Sequence, residues 1–140
     1  MGRKHKTIAI IISIIIVVSM IQYVFSSSLI FLSTDKETYT PGEKAVVILR
    51  NLGLRNVYTG IGDYRVEIYR NGHWKTYDTL TPNNHPDVLL QLYPGGTYKW
   101  TVNLGDAQPG KYRIVKEVSL SERFNSKIML TAYFTVSPRD

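Results

Sequence analysis

The fold is decided by the stretch at residues 127–136, KIMLTAYFTV, in which an apolar residue falls at every second position. A period of two is that of a β-strand with one buried face, whereas a helix repeats its apolar positions every three or four residues. The residues predicted to face a core are Ile128, Leu130, Ala132, Phe134 and Val136. We therefore interpret the stretch as a long strand that completes a domain.

Similar alternating segments fill the chain from residue 29 onward, and turn signals separate them about every eight to twelve residues. Asn71-Gly72 is the best hairpin signal, because both central residues of a type I′ turn must tolerate positive φ. No segment after residue 28 shows the 3.6-residue period of an amphipathic helix. The pattern predicts an all-β fold, an antiparallel β-sandwich of about seven to nine strands. The predicted segments are 29–34, 44–51, 57–60, 64–70, 74–78, 88–93, 97–104, 111–120 and 127–136.

One residue conflicts with this alternation. If Tyr112, Ile114, Val118 and Leu120 point into the core, then Lys116 does so as well. A buried ammonium group without partners is strongly unfavourable. Two explanations stay open: a β-bulge that shifts the phase of the strand, or a lysine at an open edge of the sandwich.

A second feature is the N-terminal segment, in which residues 7–25 contain no charge. A helix of these nineteen residues is roughly 28 Å long, close to the ~30 Å hydrocarbon core of a bilayer. The basic cluster Arg3, Lys4 and Lys6 precedes it, and the positive-inside rule keeps that end in the cytoplasm. A cleaved signal peptide ending near residues 26–28 is the alternative, but the length of the apolar run favours an uncleaved anchor.

These observations predict a single-pass protein of the cell membrane. Residues 1–6 form a cytoplasmic tail, residues 7–25 a transmembrane anchor, and residues 29–137 one extracytoplasmic domain. The lipid bilayer is then the partner of the N-terminal helix.

Composition excludes several classes of function. The chain has no cysteine, so disulfides, thiolate nucleophiles and zinc fingers are absent. Three of the 17 basic residues precede the apolar segment, which leaves 14 against 11 acidic residues, and no basic run interleaved with aromatics predicts nucleic-acid binding. The motifs of serine hydrolases, zinc proteases and phosphate-binding loops are missing. We predict that the protein is not an enzyme and binds neither a cofactor nor nucleic acid.

One loop carries oxygen and nitrogen donors of the kind that metal ions use. These are Asn83-Asn84-His85-Pro86-Asp87, with Asp63 as a further candidate. A calcium site takes about six to eight oxygens, and the regular acidic spacing that would supply them is missing here. Because Asn and Asp also cap turns, a solvated loop is the favoured interpretation, and no metal site is predicted.

Aromatic and basic residues concentrate around the central predicted hairpin. Tyrosine, tryptophan and arginine dominate the hot spots of protein interfaces. If Tyr64 and Val66 face opposite ways, the hairpin displays its aromatic residues on one surface. The candidate interaction face consists of Tyr64, Arg65, Tyr69, Arg70, Trp74 and Tyr77. The alternative is that Trp74 and Tyr77 only cover the edge of the sandwich.

Several motifs resemble those of prokaryotic immunoglobulin-like domains. Tyr39-Thr40-Pro41-Gly42-Glu43 precedes an alternating strand, and Leu92-Tyr93-Pro94-Gly95-Gly96-Thr97-Tyr98 precedes another. Pro109-Gly110-Lys111-Tyr112-Arg113-Ile114-Val115 is similar to the turn and strand that carry the tyrosine corner of such domains. The resemblance covers roughly residues 29–136.

The resemblance implies structural roles for Tyr112 and Trp100, and the turn chemistry of the sequence gives structural roles to three glycines. Tyr112 would be the corner tyrosine, whose hydroxyl bonds to the backbone a few residues upstream. Trp100 would take the place of the core tryptophan, although it lies on a different strand. Gly42, Gly72 and Gly110 would occupy turns. The missing cysteine pair separates the chain from antibody-type domains.

The resemblance also implies a class of function. Such a domain acts as a non-catalytic protein-interaction or structural module of the cell envelope, with another envelope protein as its partner. Some bacterial inhibitor domains share the sandwich, so the alternative is an inhibitor or regulator of an extracellular protease that uses the loop at residues 79–87.

Overall fold

The computed structural model describes residues 2–83 and 88–138, and for residues 2–6 and 22–28 it describes only the helical backbone. Within these ranges one helix, α1 (Gly2–Ser28), precedes ten strands. The strands are β1 (Ile30–Thr34), β2 (Thr38–Tyr39), β3 (Lys44–Asn51), β4 (Val57–Gly60), β5 (Arg65–Arg70), β6 (His73–Thr76), β7 (Leu89–Leu92), β8 (Thr97–Asn103), β9 (Gly110–Ser119) and β10 (Lys127–Val136).

The strands form two sheets that face each other across a core. In the smaller sheet, β3 lies between β1 and β8, and both pairings are antiparallel. In the larger sheet, β9 and β10 pair without interruption over ten residues each. Along its other side β9 changes neighbour, because residues 112–115 pair with β5 whereas Ser119 pairs with β4. The outer strands of this sheet are β2, β6 and β7.

The chain crosses between the sheets directly after β1. β1 pairs with β3, but β2 joins the other sheet as the parallel neighbour of β10, an exception to the predicted antiparallel arrangement. The Tyr39 hydroxyl donates to Asp35 Oδ1 at 2.6 Å, and the same oxygen accepts the N–H of Val46 at 2.8 Å. Burial and this hydrogen bond raise the pKa of Tyr39 to about 12. The crossing is therefore fixed by a buried tyrosine that stays neutral.

Two apolar clusters fill the space between the sheets. The larger cluster includes Tyr39, Tyr112 and Phe134, and the Phe134 ring lies 5.5 Å from the first and 5.3 Å from the second. The smaller cluster includes Leu49, and Trp100 packs against both. Rings at these distances add about 0.5–1.5 kcal/mol per pair beyond the burial of their area.

The sequence predictions of strands are confirmed. All nine predicted segments are strands, and their ends differ from the prediction by two residues or fewer. The strand that the alternation does not predict is β2, which is too short to show a period. The all-β sandwich is thus confirmed, with ten strands instead of seven to nine among the described residues.

The N-terminal segment is helical throughout, from Gly2 to Ser28. The large apolar side chains between Ile8 and Ile21 are 47–67 % exposed. Among the described residues, no helix combines the length and the apolar character needed to cross a membrane. The predicted tail at residues 1–6 and the last part of the predicted span, residues 22–25, have side chains outside the described set. The anchor over residues 7–25 therefore stays a prediction.

The hydroxyl of Tyr112 supplies a test of the fold, because it donates to the backbone carbonyl of Gln108 at 2.6 Å. Tyr112→Phe removes this donor and keeps the ring, so we expect the free energy of unfolding to fall by about 1–2 kcal/mol. Urea unfolding measures the change. Tyr133→Phe is the matched control because Tyr133 is 61 % exposed. Equal losses in the two variants would contradict a tyrosine corner.

Candidate binding face

Three aromatic rings meet on the outer surface of the larger sheet. Trp74 on β6 lies 5.1 Å from Tyr69 on β5 and 5.8 Å from Tyr133 on β10, measured between ring centroids. Tyr69 is 40 % and Tyr133 is 61 % exposed, so the group is open to solvent on one side. We call Tyr69, Trp74 and Tyr133 the aromatic platform.

A charged network supports the platform. The guanidinium of Arg113 lies 4.5 Å from the centroid of the Trp74 ring, within the range of a cation–π contact. Arg113 Nε donates to one oxygen of the Glu67 carboxylate at 2.5 Å, and Arg65 Nε donates to the other at 2.8 Å. Burial opposes ionisation of Glu67, but these two hydrogen bonds outweigh it and lower the pKa of the carboxyl. The carboxylate therefore stays charged at neutral pH and fixes Arg113 against the indole.

The strand register brings these side chains together. Tyr69 is paired with Trp74 between β5 and β6, and Glu67 is paired with Arg113 between β5 and β9. Arg113 is in turn paired with Tyr133 between β9 and β10. Residues paired directly across antiparallel strands have Cβ atoms about 4.5–5.5 Å apart, so the contact between Tyr69 and Trp74 and that between Glu67 and Arg113 follow from the backbone. Trp74 is not paired with Arg113 or Tyr133, and its indole ring reaches them across the outer surface of the sheet.

A shallow cavity of about 360 Å³ adjoins the platform. Trp74 and Tyr133 line it together with Glu37, Lys111 and Thr135, and the buried residues Tyr112 and Phe134 complete the lining. The site thus combines ring surfaces with a carboxylate and an ammonium group. A few polar groups on a mainly aromatic surface are typical of sites that orient a ligand through specific contacts.

The structure brings together only some of the predicted face residues. Arg65, Tyr69 and Trp74 lie on the platform side of the sheet, as described above. Tyr64 and Tyr77 instead pack against the core: the Tyr64 ring is 5.5 Å from Trp100. The expectation that Tyr64 and Val66 face opposite ways is wrong, since Tyr64 precedes β5 and packs, like Val66, in the larger core cluster.

Arg70, the sixth predicted residue, closes a turn. Its Nη2 donates to the carbonyl of Pro109 at 2.8 Å. A Cβ atom on Gly110 would lie 2.5 Å from Arg70 Nη1, so glycine makes room for the arginine. Gly42 and Gly72 lie in turns with φ of 93° and 82°. At Gly72 the positive φ accompanies that of Asn71, as the predicted hairpin turn requires.

Sequence reasoning missed Arg113 and Tyr133. A signal for Tyr133 was present, because the alternation in residues 127–136 turns it away from the core. Nothing local in the sequence shows that β9 lies between β5 and β10, and this placement is what brings both residues to Trp74.

Lys116 is buried on β9 with 1 % exposure, and both predicted explanations are wrong. The register between β9 and β10 has no bulge, and β9 lies inside the sheet. The ammonium donates to the carbonyl oxygens of Gly60 at 2.9 Å and Asp63 at 2.8 Å. Gly60 ends β4 and Asp63 lies in the connection to β5, and these are the two strands that share one side of β9. The lysine side chain therefore supplies hydrogen bonds at the position along β9 where its backbone is paired with neither β4 nor β5.

The ring of Trp100 covers the same ammonium group. Lys116 Nζ lies 5.2 Å from the Trp100 ring centroid, and the Tyr64 and Tyr98 rings contact the indole at 5.5 Å and 5.4 Å. Removal of the charge from water lowers the pKa of Lys116 to about 8. Trp100 thus packs against both core clusters and also covers Lys116, the residue that the alternation left unexplained.

Lys116 makes stability depend on pH. An unfolded lysine titrates near ~10.4, so between about pH 8 and pH 10 the unfolded state binds more protons than the folded state. The free energy of unfolding should therefore rise with pH across this window, by roughly 2–3 kcal/mol. Lys116→Met has a similar length and lacks the effect. Denaturant unfolding of both proteins at several pH values checks this, and a constant difference between them would contradict it.

The loop at residues 79–87, which carries the metal-type donors and is the candidate inhibitor loop, is only partly described. Residues 84–87 lie outside the described residues, and Asp63 uses its backbone carbonyl to accept from Lys116. Among the residues with described placement, no group of three or more His, Asp or Glu could hold a metal ion. The inhibitor loop at residues 79–87 stays a prediction without a supporting observation.

Comparison with known proteins identifies one family match. The sequence model of a family described as "Bacterial Ig-like domain" matches residues 26–135. No curated protein matches the chain.

Several solved structures are similar in outline. The archaellum periplasmic stator protein FlaG from Sulfolobus acidocaldarius is 19% identical, covers 76% of this chain and 99% of its own, and has a TM-score of 0.40. The CARDB domain of PF1109 from Pyrococcus furiosus is 21% identical, with coverages of 79% and 94% and a TM-score of 0.38. WR4, a C. elegans MSP family member, is 12% identical, with coverages of 76% and 98% and a TM-score of 0.45. The fold assignment rests on the family match and the strand pairing, because these likenesses are too weak to carry an argument.

Proposed function

Since this chain belongs to the bacterial Ig-like domain family, we propose that it is a non-catalytic module of the cell envelope that binds another protein. The aromatic platform carries this proposal. Tyr69 and Tyr133 each contact Trp74, and Arg113, paired with Glu67, holds the indole before any partner arrives. Rings that are already fixed lose little conformational freedom on association, and that favours a binding surface.

The chemistry of the platform suits a protein partner. Tryptophan, tyrosine and arginine are the residues that most often dominate binding energy in interfaces, and here they form one group. The cavity beside them offers Glu37 and Lys111, which suit polar or charged side chains of a partner. These groups favour non-covalent recognition.

The proposal includes an anchor in the cell membrane through residues 7–25, with the sandwich outside the cytoplasm. The absence of charge over this segment and the preceding basic cluster support it. The bilayer is then the partner of the helix, and another envelope protein is the partner of the platform.

The absence of cysteine allows a clean test of this topology. Asp106→Cys places one thiol in the exposed connection between β8 and β9, and Lys4→Cys places one before the apolar segment. We expect a membrane-impermeant maleimide to label residue 106 in wall-stripped intact cells and residue 4 only after lysis. Labelling of residue 106 only after lysis would refute the extracytoplasmic placement.

Photo-crosslinking from the platform tests the binding role. We expect Tyr133→p-benzoylphenylalanine, expressed as the full chain in its native membrane, to form one discrete protein adduct. Trp74→Ala in the same background removes the centre of the platform and should lower the adduct yield roughly tenfold or more. Gel mobility and mass spectrometry measure the yield.

The control for this experiment lies on the other sheet. Phe31 on β1 is 46 % exposed, so Phe31→p-benzoylphenylalanine presents the same photoreactive group on the opposite surface. The proposal fails if both positions give the same adducts, or if Trp74→Ala keeps the adduct while its melting temperature stays that of the parent protein.

A further inference from the structure

The end of the sandwich next to α1 exposes apolar side chains. Among the described residues outside the helix, the most exposed large apolar side chains are Leu54 at 72 %, Tyr93 at 63 %, Tyr133 at 61 % and Leu52 at 55 %. Tyr133 belongs to the platform. The other three lie in two connections at one end of the sandwich, residues 52–56 before β4 and residues 93–96 before β8.

The side chain of Asn51 holds these two connections together. Asn51 is fully buried, and its Nδ2 donates to the carbonyls of Arg55 at 2.8 Å and Leu92 at 3.0 Å. Its Oδ1 accepts the N–H of Gly53 at 3.1 Å. The backbone of Asn51 also exchanges hydrogen bonds with Gly95 and Gly96. Leu52, Leu54 and Tyr93 therefore project from an ordered surface, which we call the helix-proximal tip.

The tip adjoins the point where the helix enters the sandwich. Leu29 directly follows the last residue of α1, and its carbonyl accepts the N–H of Leu52 at 2.9 Å. Ile30, the first residue of β1, pairs with Asn51. A membrane that surrounds residues 7–25 would end only a few residues before Leu29, or about 6 Å at 1.5 Å per residue. The tip would then lie at the level of the lipid headgroups.

Basic side chains surround the tip. Arg50 and Arg55 flank it in the chain, and Arg123 lies in the connection between β9 and β10 at the same end. All three are exposed, and the ion pairs found among the described residues do not involve them. Each arginine near a surface of anionic lipid raises the affinity for that surface roughly fivefold, because the guanidinium is attracted to the headgroups.

We infer that the helix-proximal tip is a lipid-contacting surface: Leu52, Leu54 and Tyr93 enter the headgroup region of an anionic bilayer, and the arginines contact lipid phosphates. The inference rests on the proposed membrane anchor. Leucine inserts its apolar side chain at the boundary with the acyl chains, and tyrosine prefers the interface because its ring is apolar and its hydroxyl polar. Contact at the tip would fix how the sandwich, and with it the platform, is oriented above the membrane.

Single-cysteine labelling of the full chain in nanodiscs tests the inference. Leu54→Cys carries an environment-sensitive NBD label at the tip, and Asp106→Cys carries the same label at the opposite end of the sandwich. The discs contain phosphatidylcholine and phosphatidylglycerol, with a fraction of lipid spin-labelled near the headgroup. We expect a blue-shifted emission at residue 54 and quenching about twofold or more above that at residue 106.

Two matched changes separate the apolar and the electrostatic contributions. With the label at Tyr93→Cys, the double variant Leu52→Ser/Leu54→Ser should lose most of the excess quenching, and circular dichroism checks that it is folded. Arg55→Ser, or discs of phosphatidylcholine alone, should reduce the excess without abolishing it, because the leucines remain.

The outcomes distinguish this inference from the anchor on which it rests. If the chain stays with the discs but residues 54 and 106 are equally quenched, the tip does not contact lipid and the anchor stands. If the chain separates from the discs during purification, both the anchor and the tip contact are refuted. Excess quenching that persists in Leu52→Ser/Leu54→Ser would also overturn the inference, since the apolar contact would be absent.

Discussion

The larger sheet depends on a single ammonium group at Lys116. β9 has β10 along one side in continuous register, but along the other side β5 gives way to β4. Gly60 at the end of β4 and Asp63 in the connection to β5 lie between the residues of these strands that pair with β9, and neither is paired with it. Lysine supplies the missing donors from within the core, at a loss of solvation that Trp100 partly offsets by its contact with the charge. An apolar residue at 116 would remove two hydrogen bonds worth on the order of 1 kcal/mol each.

The local pattern of the sequence predicted what is local in the structure. Strands with one buried face keep a period of two, so alternation identified nine of them, and Asn71-Gly72 identified the β5–β6 hairpin. β2 was not predictable in this way, because two residues show no period and its position depends on the partly buried hydrogen bond between Tyr39 and Asp35. Lys116 was recognised as an anomaly from its spacing. Its explanation required knowing which strands lie beside β9.

In the candidate binding face, too, the sequence predicted the contact that is local in the chain and missed those that depend on the order of the strands. The pair Tyr69 and Trp74 comes from one hairpin, and the sequence placed both on the surface. Arg113 joins them through Glu67 across a separation of 46 residues, and Tyr133 joins from the last strand. Such contacts depend on sheet order, which single-sequence patterns do not encode. Glu67 shows a related limit: it lies on the same face of β5 as Tyr69, yet two arginines from β5 and β9 cover it to 7 % exposure, and only the sheet order brings the second of them to it.

The parallel pairing of β2 with β10 has a mechanical consequence. A pull on the helix acts on β2 through β1, whereas a pull on the end of β10 acts in the opposite direction along the neighbouring strand. The bonds from Thr135 N–H to Glu37 and from Ser137 N–H to Tyr39 are then loaded in shear and must rupture together instead of one after another. Tension between the two ends of the domain would thus meet resistance at a junction of only two residues per strand.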